Sequence, residues 1–262
     1  MVLSSTRVGD SVEEVVGAAV TGADDLTLLD PDGEAIRALT DHLQKGQVRL
    51  LAAPAPLKRE LETFRTAATL ADLVAADRLT VRTTESAPRQ TLLVSPESVT
   101  ALVTGSDQAA GLVTGDPSFV ADVHDSVDEQ WAAATPHSLR TPPLSVVRET
   151  LRREVGEAAG ADFDRLLETG LLDDGIDEVA GCLLVAARNG DLFYDLSRWG
   201  EDVGLASKAT FSRTKARLEE ADLLGTEKVP IEVGRPRLRL HLPEELAGDP
   251  IESVAETAAG RL

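Results

Sequence analysis

Apolar positions recur at two different periods along the chain, and the switches between them mark its elements. S-V-E-E-V-V-G-A-A-V over residues 11–20 has the three- and four-residue spacing of a helix. Leu26-Thr27-Leu28-Leu29 is a short apolar strand closed by the turn sequence Asp30-Pro31-Asp32-Gly33. Residues 34–45, with Ile36, Leu39 and Leu43 on one face, predict a second helix, and Val48 to Ala52 a second strand. A long helical region runs from Pro56 to Asp77, with gaps in its pattern that predict a break near Ala67–Thr69. Leu79–Thr83, Gln90–Val94 and Ser98–Val103 read as strands, the last two joined by a hairpin turn at Pro96-Glu97. Gln108–Thr114 is a weaker strand, and Pro117 opens a helix over 118–133. Strand, helix, strand, helix, strand predicts an α/β sandwich with a parallel core, extended antiparallel by the later strands.

Thr135-Pro136-His137 and Thr141-Pro142-Pro143 interrupt any continuous helix and mark a boundary. Beyond it, Leu144, Val147, Leu151 and Val155 form one stripe and Phe163, Leu166 and Leu167 another, which predicts linker helices. From Asp177, D-E-V-A-G-C-L-L-V-A-A-R-N puts Val179, Cys182, Leu183 and Ala186 on one face, and L-F-Y-D-L-S-R-W puts Leu192, Leu196 and Trp199 on a second. A turn containing Gly200 and Gly204 leads to Ser207, the N-cap of a third helix, K-A-T-F-S-R-T-K-A-R-L-E-E-A, in which Phe211, Leu218 and Ala221 point inward. Two extended runs joined by Gly234-Arg235-Pro236 follow. Three short helices and a hairpin predict a winged helix-turn-helix, whose third helix enters a DNA major groove while the hairpin reaches the backbone or minor groove. The expected organisation is an α/β domain for dimerisation or ligand sensing (1–135), linker helices (136–175), a winged helix-turn-helix (176–243) and an acidic tail (244–262) that forms a short helix over 250–258 or stays partly disordered.

Charge sharpens this map. The 262 residues carry 26 basic and 45 acidic side chains, a net of -19, and only five of the basic ones are lysine. Residues 1–175 have a net charge of -14 and the tail from 244 has -4, but residues 176–243 have only -1. From Lys208 to Arg239 there are 8 basic residues against 5 acidic. So acidic a surface suits concentrated salt, where the Debye length is about 3 Å at 1 M, although an ordinary acidic protein fits as well. Because affinity for DNA falls with salt at a slope of about -0.9 per neutralised phosphate, a compact basic island is the form such a protein would use.

The candidate chemistry lies in that island. Lys208, Thr210, Ser212, Arg213, Lys215 and Arg217 are expected on the outer face of the third helix, where arginine can read guanine and lysine and hydroxyls can hold phosphates or base edges. Arg217 has a rival assignment, pairing with Glu219 or Glu220. In the hairpin, Arg235, Arg237 and Arg239 alternate with Leu238 and Leu240, so one face packs on the helices and the other meets the DNA backbone. An enzyme has little to work with: no phosphate-binding glycine loop occurs, and His42, His124, His137 and His241 lie in no metal-binding spacing with each other or with Cys182. His124 with Asp122, Asp125, Asp128 and Glu129 is the one cluster to test, and it also fits a solvated acidic helix face. The lone cysteine excludes an internal disulfide and reads as core filler. No export signal or membrane span is indicated, which predicts a cytoplasmic protein.

The third helix and hairpin, in V-G-L-A-S-K-A-T-F-S-R-T-K-A-R-L-E-E-A-D-L-L and E-V-G-R-P-R-L-R-L, resemble the haloarchaeal TbsP family of transcriptional regulators, and the resemblance extends over essentially the whole chain. More distantly, the architecture is similar to the sugar-responsive TrmB regulators of archaea, which join a winged helix to a phospholipase-D-like domain but place the winged helix first. If residues 20–135 have that fold they lack its chemistry, since no histidine here is followed two places on by lysine. The resemblance implies a regulator of central carbon metabolism genes. A lone winged helix covers one half-site, so a homodimer on double-stranded DNA is expected, and no cofactor is expected. The α/β domain would either sense a small metabolite or only dimerise. A protein-interaction module of the transcription machinery or chromatin is the alternative, and an enzyme in residues 20–135 a third reading.

Overall fold

The structure, a computed structural model, describes residues 5–9, 11–85, 90–106, 108–173, 175–230 and 236–262, with residues 5–9 described by their backbone alone. The chain divides into two compact units, Met1–Glu62 with Thr69–Leu139, and Thr63–Ala68 with Arg140–Leu262.

The first unit contains β1 (Ser5–Gly9), α1 (Val12–Gly22), β2 (Asp25–Leu29), α2 (Gly33–His42), β3 (Gln47–Ala52), α3 (Pro54–Glu60), most of α4 (Phe64–Ala75), β4 (Leu79–Thr83), β5 (Leu92–Ser95), β6 (Ser98–Thr104), β7 (Ala109–Thr114), α5 (Pro117–Ala133) and β8 (Thr135–Pro136). The strands form one mixed sheet in the order β1-β7-β6-β5-β2-β3-β4-β8. As expected, β2, β3 and β4 are parallel, with Leu28 beside Leu50 and Leu50 beside Val81, and the rest of the sheet is antiparallel. Pro96-Glu97 does turn the β5–β6 hairpin, where Ser95 faces Ser98.

Strand alternation assigns the two faces of this sheet. Leu26, Leu28, Val48, Leu50 and Ala52 join α1 to α4 in one core, while Leu29, Leu51 and Val94 pack with Val120 and Val127 of α5 in another. Side-chain caps start the helices where the sequence places them. Ser11 accepts from the Glu14 N–H, Asp32 from Ala35 and Asp116 from Ser118 and Phe119.

Three features of this unit differ from expectation. The long helical region breaks at 61–63, not at Ala67–Thr69, because Ala67 and Ala68 are buried and small alanines continue the apolar face that lacks larger residues there. β1 was not expected; it exists by pairing with the distant β7, Ser5 opposite Val113 and Gly9 opposite Ala109. Thr135–Pro136, read as a boundary, pairs with β4.

The second unit contains α6 (Leu144–Glu154), α7 (Glu157–Glu168), α8 (Glu178–Asn189), α9 (Phe193–Asp202), α10 (Lys208–Glu220), β9 (Gly225–Val229), β10 (Arg237–His241) and α11 (Ile251–Arg261). Its core gathers Val147 and Leu151 of α6, Phe163 and Leu166 of α7, and Val254 and Ala258 of α11 around α8. The helices expected as a linker and the segment expected as a tail thus supply core residues here. α8 itself is buried on every side from Val179 to Ala187, Cys182 included, whereas its sequence predicted only one apolar face. Burial raises the Cys182 thiol far above its ordinary value and leaves it inert. Trp199, almost fully buried, donates its indole N–H to Thr150 at 2.9 Å and so joins α9 to α6.

Candidate nucleic-acid interface

The local sequence sets the orientation of α10. Ser207 caps it by accepting from the Thr210 N–H at 3.2 Å, and the preceding turn passes through Gly204 at φ 83°, a left-handed conformation that favours glycine. Gly200 is not in that turn as expected but inside α9, where its missing side chain makes room for the ring of Phe211. Phe211, Thr214 and Leu218 fill the inner arc of α10, which leaves Lys208, Ala209, Ser212, Arg213, Ala216, Arg217 and, at its C-terminal end, Glu220 exposed on one outer arc.

The hairpin follows from β9 and β10, paired antiparallel with Leu238 opposite Lys228 and Arg239 opposite Glu227. Leu240 is buried, while Arg239 points out. Leu192, between α8 and α9, forms a bridge to Arg239 on β10, and the Leu240 N–H donates to the Asp191 carbonyl at 2.9 Å.

Most expected contact residues are brought to this surface, with partners the sequence did not reveal. Lys208 sits 2.6 Å from Glu201, a bond that holds the lysine above and the carboxyl below their ordinary values. Arg217 meets Asp177, the N-cap of α8, at 2.6 Å, rather than Glu219 or Glu220. Arg237 meets Asp195 at 3.0 Å with its guanidinium 4.2 Å from the Tyr194 ring centroid, and Arg239 meets Glu227 at 3.2 Å. Thr210 shares a hydrogen bond with Ser207, and Arg213 donates to the Thr210 hydroxyl at 3.3 Å. Lys215 does not join the outer arc. Only 14 % of its side chain is exposed, and it bonds Glu219 at 2.6 Å beside the Phe193 ring. Arg235 lies outside the described residues.

Tyr194 was not singled out from the sequence, yet it is exposed and holds Arg237 in place. No periodic signal could have found it, since the two residues meet only when β10 folds back on α9.

The other sequence candidates lead elsewhere. In the α5 cluster, His124 shares a hydrogen bond with the Ser95 carbonyl and Asp128 pairs with Arg49 at 2.7 Å. No group of three or more His, Cys, Asp or Glu side chains suited to a metal occurs among the described residues, and no helix of theirs is long and apolar enough to cross a membrane.

A mixed α/β unit together with a helical one, whose capped helix carries exposed cations, is the arrangement of a helix-turn-helix protein. The chain belongs to the TbsP-like transcriptional regulator family: the family's N-terminal domain matches residues 4–142 and its C-terminal HTH domain residues 143–259. Its family is accordingly one of transcriptional regulators. No match is found among curated proteins. Among solved structures, the chain is similar to TrmBL2, described as an archaeal chromatin protein with a novel mode of DNA binding, at 14 % identity and a TM-score of 0.39 over 52 % of this chain and 55 % of that one. It thus spans about half the length of TrmBL2. A second similar structure is NucT from Helicobacter pylori, at 6 % identity and a TM-score of 0.34 over 51 % of this chain and 99 % of that one.

Proposed function

We propose that this protein is a sequence-specific regulator that binds double-stranded DNA as a homodimer, with α10 in the major groove and the β9–β10 hairpin on the backbone. The observation that carries this reading is the outer arc of α10. It presents Lys208, Ser212 and Arg213 beside Ala209 and Ala216, small enough to let the helix approach base edges. Reading α8 to β10 as a winged helix-turn-helix is supported by the β9–β10 pairing and by the Leu192 bridge that ties the α8–α9 connection to β10. One such module covers one half-site, which is the reason for a second copy.

In the same reading residues 1–135 dimerise or sense a metabolite, and the phospholipase-D-like, non-catalytic assignment rests on the parallel β2–β3–β4 core and the missing H-x-K motif. A small effector has a place to bind in a cleft of about 540 Å³ lined by Asp30, Arg59, Gln90, Thr91 and Thr104, where burial raises the Asp30 carboxyl. Target genes in central carbon metabolism follow from the family resemblance, and a halophilic cytoplasm from the net charge of -19 and the single buried cysteine. The interaction-module alternative calls for Arg235, Arg237 and Arg239 to meet carboxylates of another chain, whereas Arg237 meets Asp195 and Arg239 meets Glu227 of this one.

Fluorescence anisotropy against native promoter fragments and a scrambled duplex, in about 2 M KCl to screen the acidic surface, tests the reading. Preference for a promoter is expected. Equal binding to all duplexes, or none, would overturn it.

A further inference from the structure

The candidate cations do not stand bare. Of Lys208, Arg213, Lys215, Arg217, Arg237 and Arg239, all but Arg213 hold a carboxylate of this same chain. Two of these carboxylates have structural duties: Asp177 caps α8, and Glu219 also accepts from Thr226 beside the sunken Lys215. Glu201, Asp195 and Glu227 stand on the exposed side of their cations, although Glu201 also accepts the Lys208 backbone N–H at 3.4 Å at the start of α10, a contact that the amide oxygen of Glu201→Gln can keep. Their side chains are 45 %, 42 % and 56 % exposed, and they reach Lys208, Arg237 and Arg239, whose side chains are 49 %, 34 % and 46 % exposed, on the face assigned to DNA.

A phosphate approaching Lys208, Arg237 or Arg239 therefore meets a carboxylate already in its place. Exposed ion pairs are weak, so exchange is feasible. Its ionic balance nevertheless differs from that of a bare cation. A bare cation displaces counterions condensed on DNA, which drives binding and sets its salt dependence at about -0.9 per phosphate. A cation taken from a carboxylate also leaves an anion beside the DNA, and that anion must regain counterions. Much of the electrostatic gain cancels. Non-specific duplexes, held by phosphates alone, lose most, whereas a cognate site keeps the base contacts of Arg213, which gives up only a hydroxyl partner, Thr210.

We propose that Glu201, Asp195 and Glu227 are specificity-determining residues that occupy Lys208, Arg237 and Arg239 in competition with phosphate, suppressing non-specific binding and flattening its salt dependence. This rests on the DNA-binding reading above.

The test uses the full chain and the triple variant Glu201→Gln, Asp195→Asn, Glu227→Gln, whose amides keep the shape and remove the charge. A control triple, Glu34→Gln, Glu168→Gln, Glu256→Gln, makes the same change in net charge at exposed positions of other helices. Anisotropy on promoter and scrambled duplexes is measured over a salt series, with thermal melts to confirm folding. The expected result is scrambled-duplex binding on the order of tenfold tighter than wild type, with a slope steeper by about 2 to 3, from about 0.9 for each of three phosphates. Promoter preference should narrow, and the control should move far less. Unchanged or weaker binding to the scrambled duplex, or an equal effect in the control, would overturn the proposal while leaving DNA binding intact. A wild-type chain that binds no duplex would instead remove the DNA-binding reading and this inference together. Should the triple variant melt early, Glu227→Gln alone on the hairpin is expected to steepen the slope by about 1, and no change there overturns the proposal.

Discussion

Gly200 of α9 and Phe211 of α10 are in direct contact, and a methyl group at Gly200 would lie inside the van der Waals envelope of the Phe211 ring. Phe211 is fully buried and cannot swing to solvent without opening the core. The angle at which α10 leaves α9, and so the direction its cationic arc faces, depends on this one absent side chain.

Gly200→Ala should therefore destabilise the second unit by about 1–3 kcal/mol, the range for overpacking a filled core. Denaturant melts measure it. If Phe211→Leu, which shortens the opposing group, restores no part of the loss in the double variant, the contact is not its cause.

Thr150→Val keeps the volume of Thr150 but leaves the buried Trp199 N–H without its acceptor. A loss of about 1–3 kcal/mol is expected, together with a shift in tryptophan emission. A change below a few tenths of a kcal/mol would mean that water or another group takes the proton.

Asp191 has a buried carboxyl oxygen with no hydrogen-bond partner among the described residues, and burial, helped by the nearby Asp195 charge, pushes its pKa up to about 6. Because the folded pKa lies above the unfolded one, the fold favours the protonated form. The cost of ionisation is absent below the ordinary carboxylate range, grows as pH rises and is fully present above about pH 6. Asp191→Asn should melt at a higher temperature than wild type at pH 8 and close to it at pH 4. The opposite ordering would show that the carboxylate has a stabilising partner.

Arg213→Ala should abolish the preference among sequences at a cost of about 1–3 kcal/mol on the cognate site, while Arg237→Ala should weaken all duplexes alike. Equal losses on every duplex from both changes would sink this division of labour.

Ser207→Ala removes the cap of α10 and should cost about 1 kcal/mol, with hydrogen exchange accelerated first at the Thr210 amide that the cap holds. Protection unchanged at Thr210 would show that the helix start is held by other means.

What the sequence determined by itself is whatever repeats over a few residues. The apolar runs of β2 and β3, the turn at Pro96-Glu97, the Ser207 cap and the inward Phe211 and Leu218 are local regularities of sequence and backbone geometry, and they could be read directly. The tertiary structure alone decided which distant groups meet. Arg217 had acidic neighbours two and three residues away, yet its partner is Asp177, 40 residues earlier. Lys215 looked like a DNA contact until Phe193 and Glu219 closed over it, and Gly200 looked like a turn until Phe211 showed why a helix needs a glycine there. β1 gains its ladder only from β7, and α6, α7 and α11 show their worth only around α8. Local periodicity fixes which face of an element is apolar, but the choice of partner is set by chain packing and by the charges that packing brings within reach.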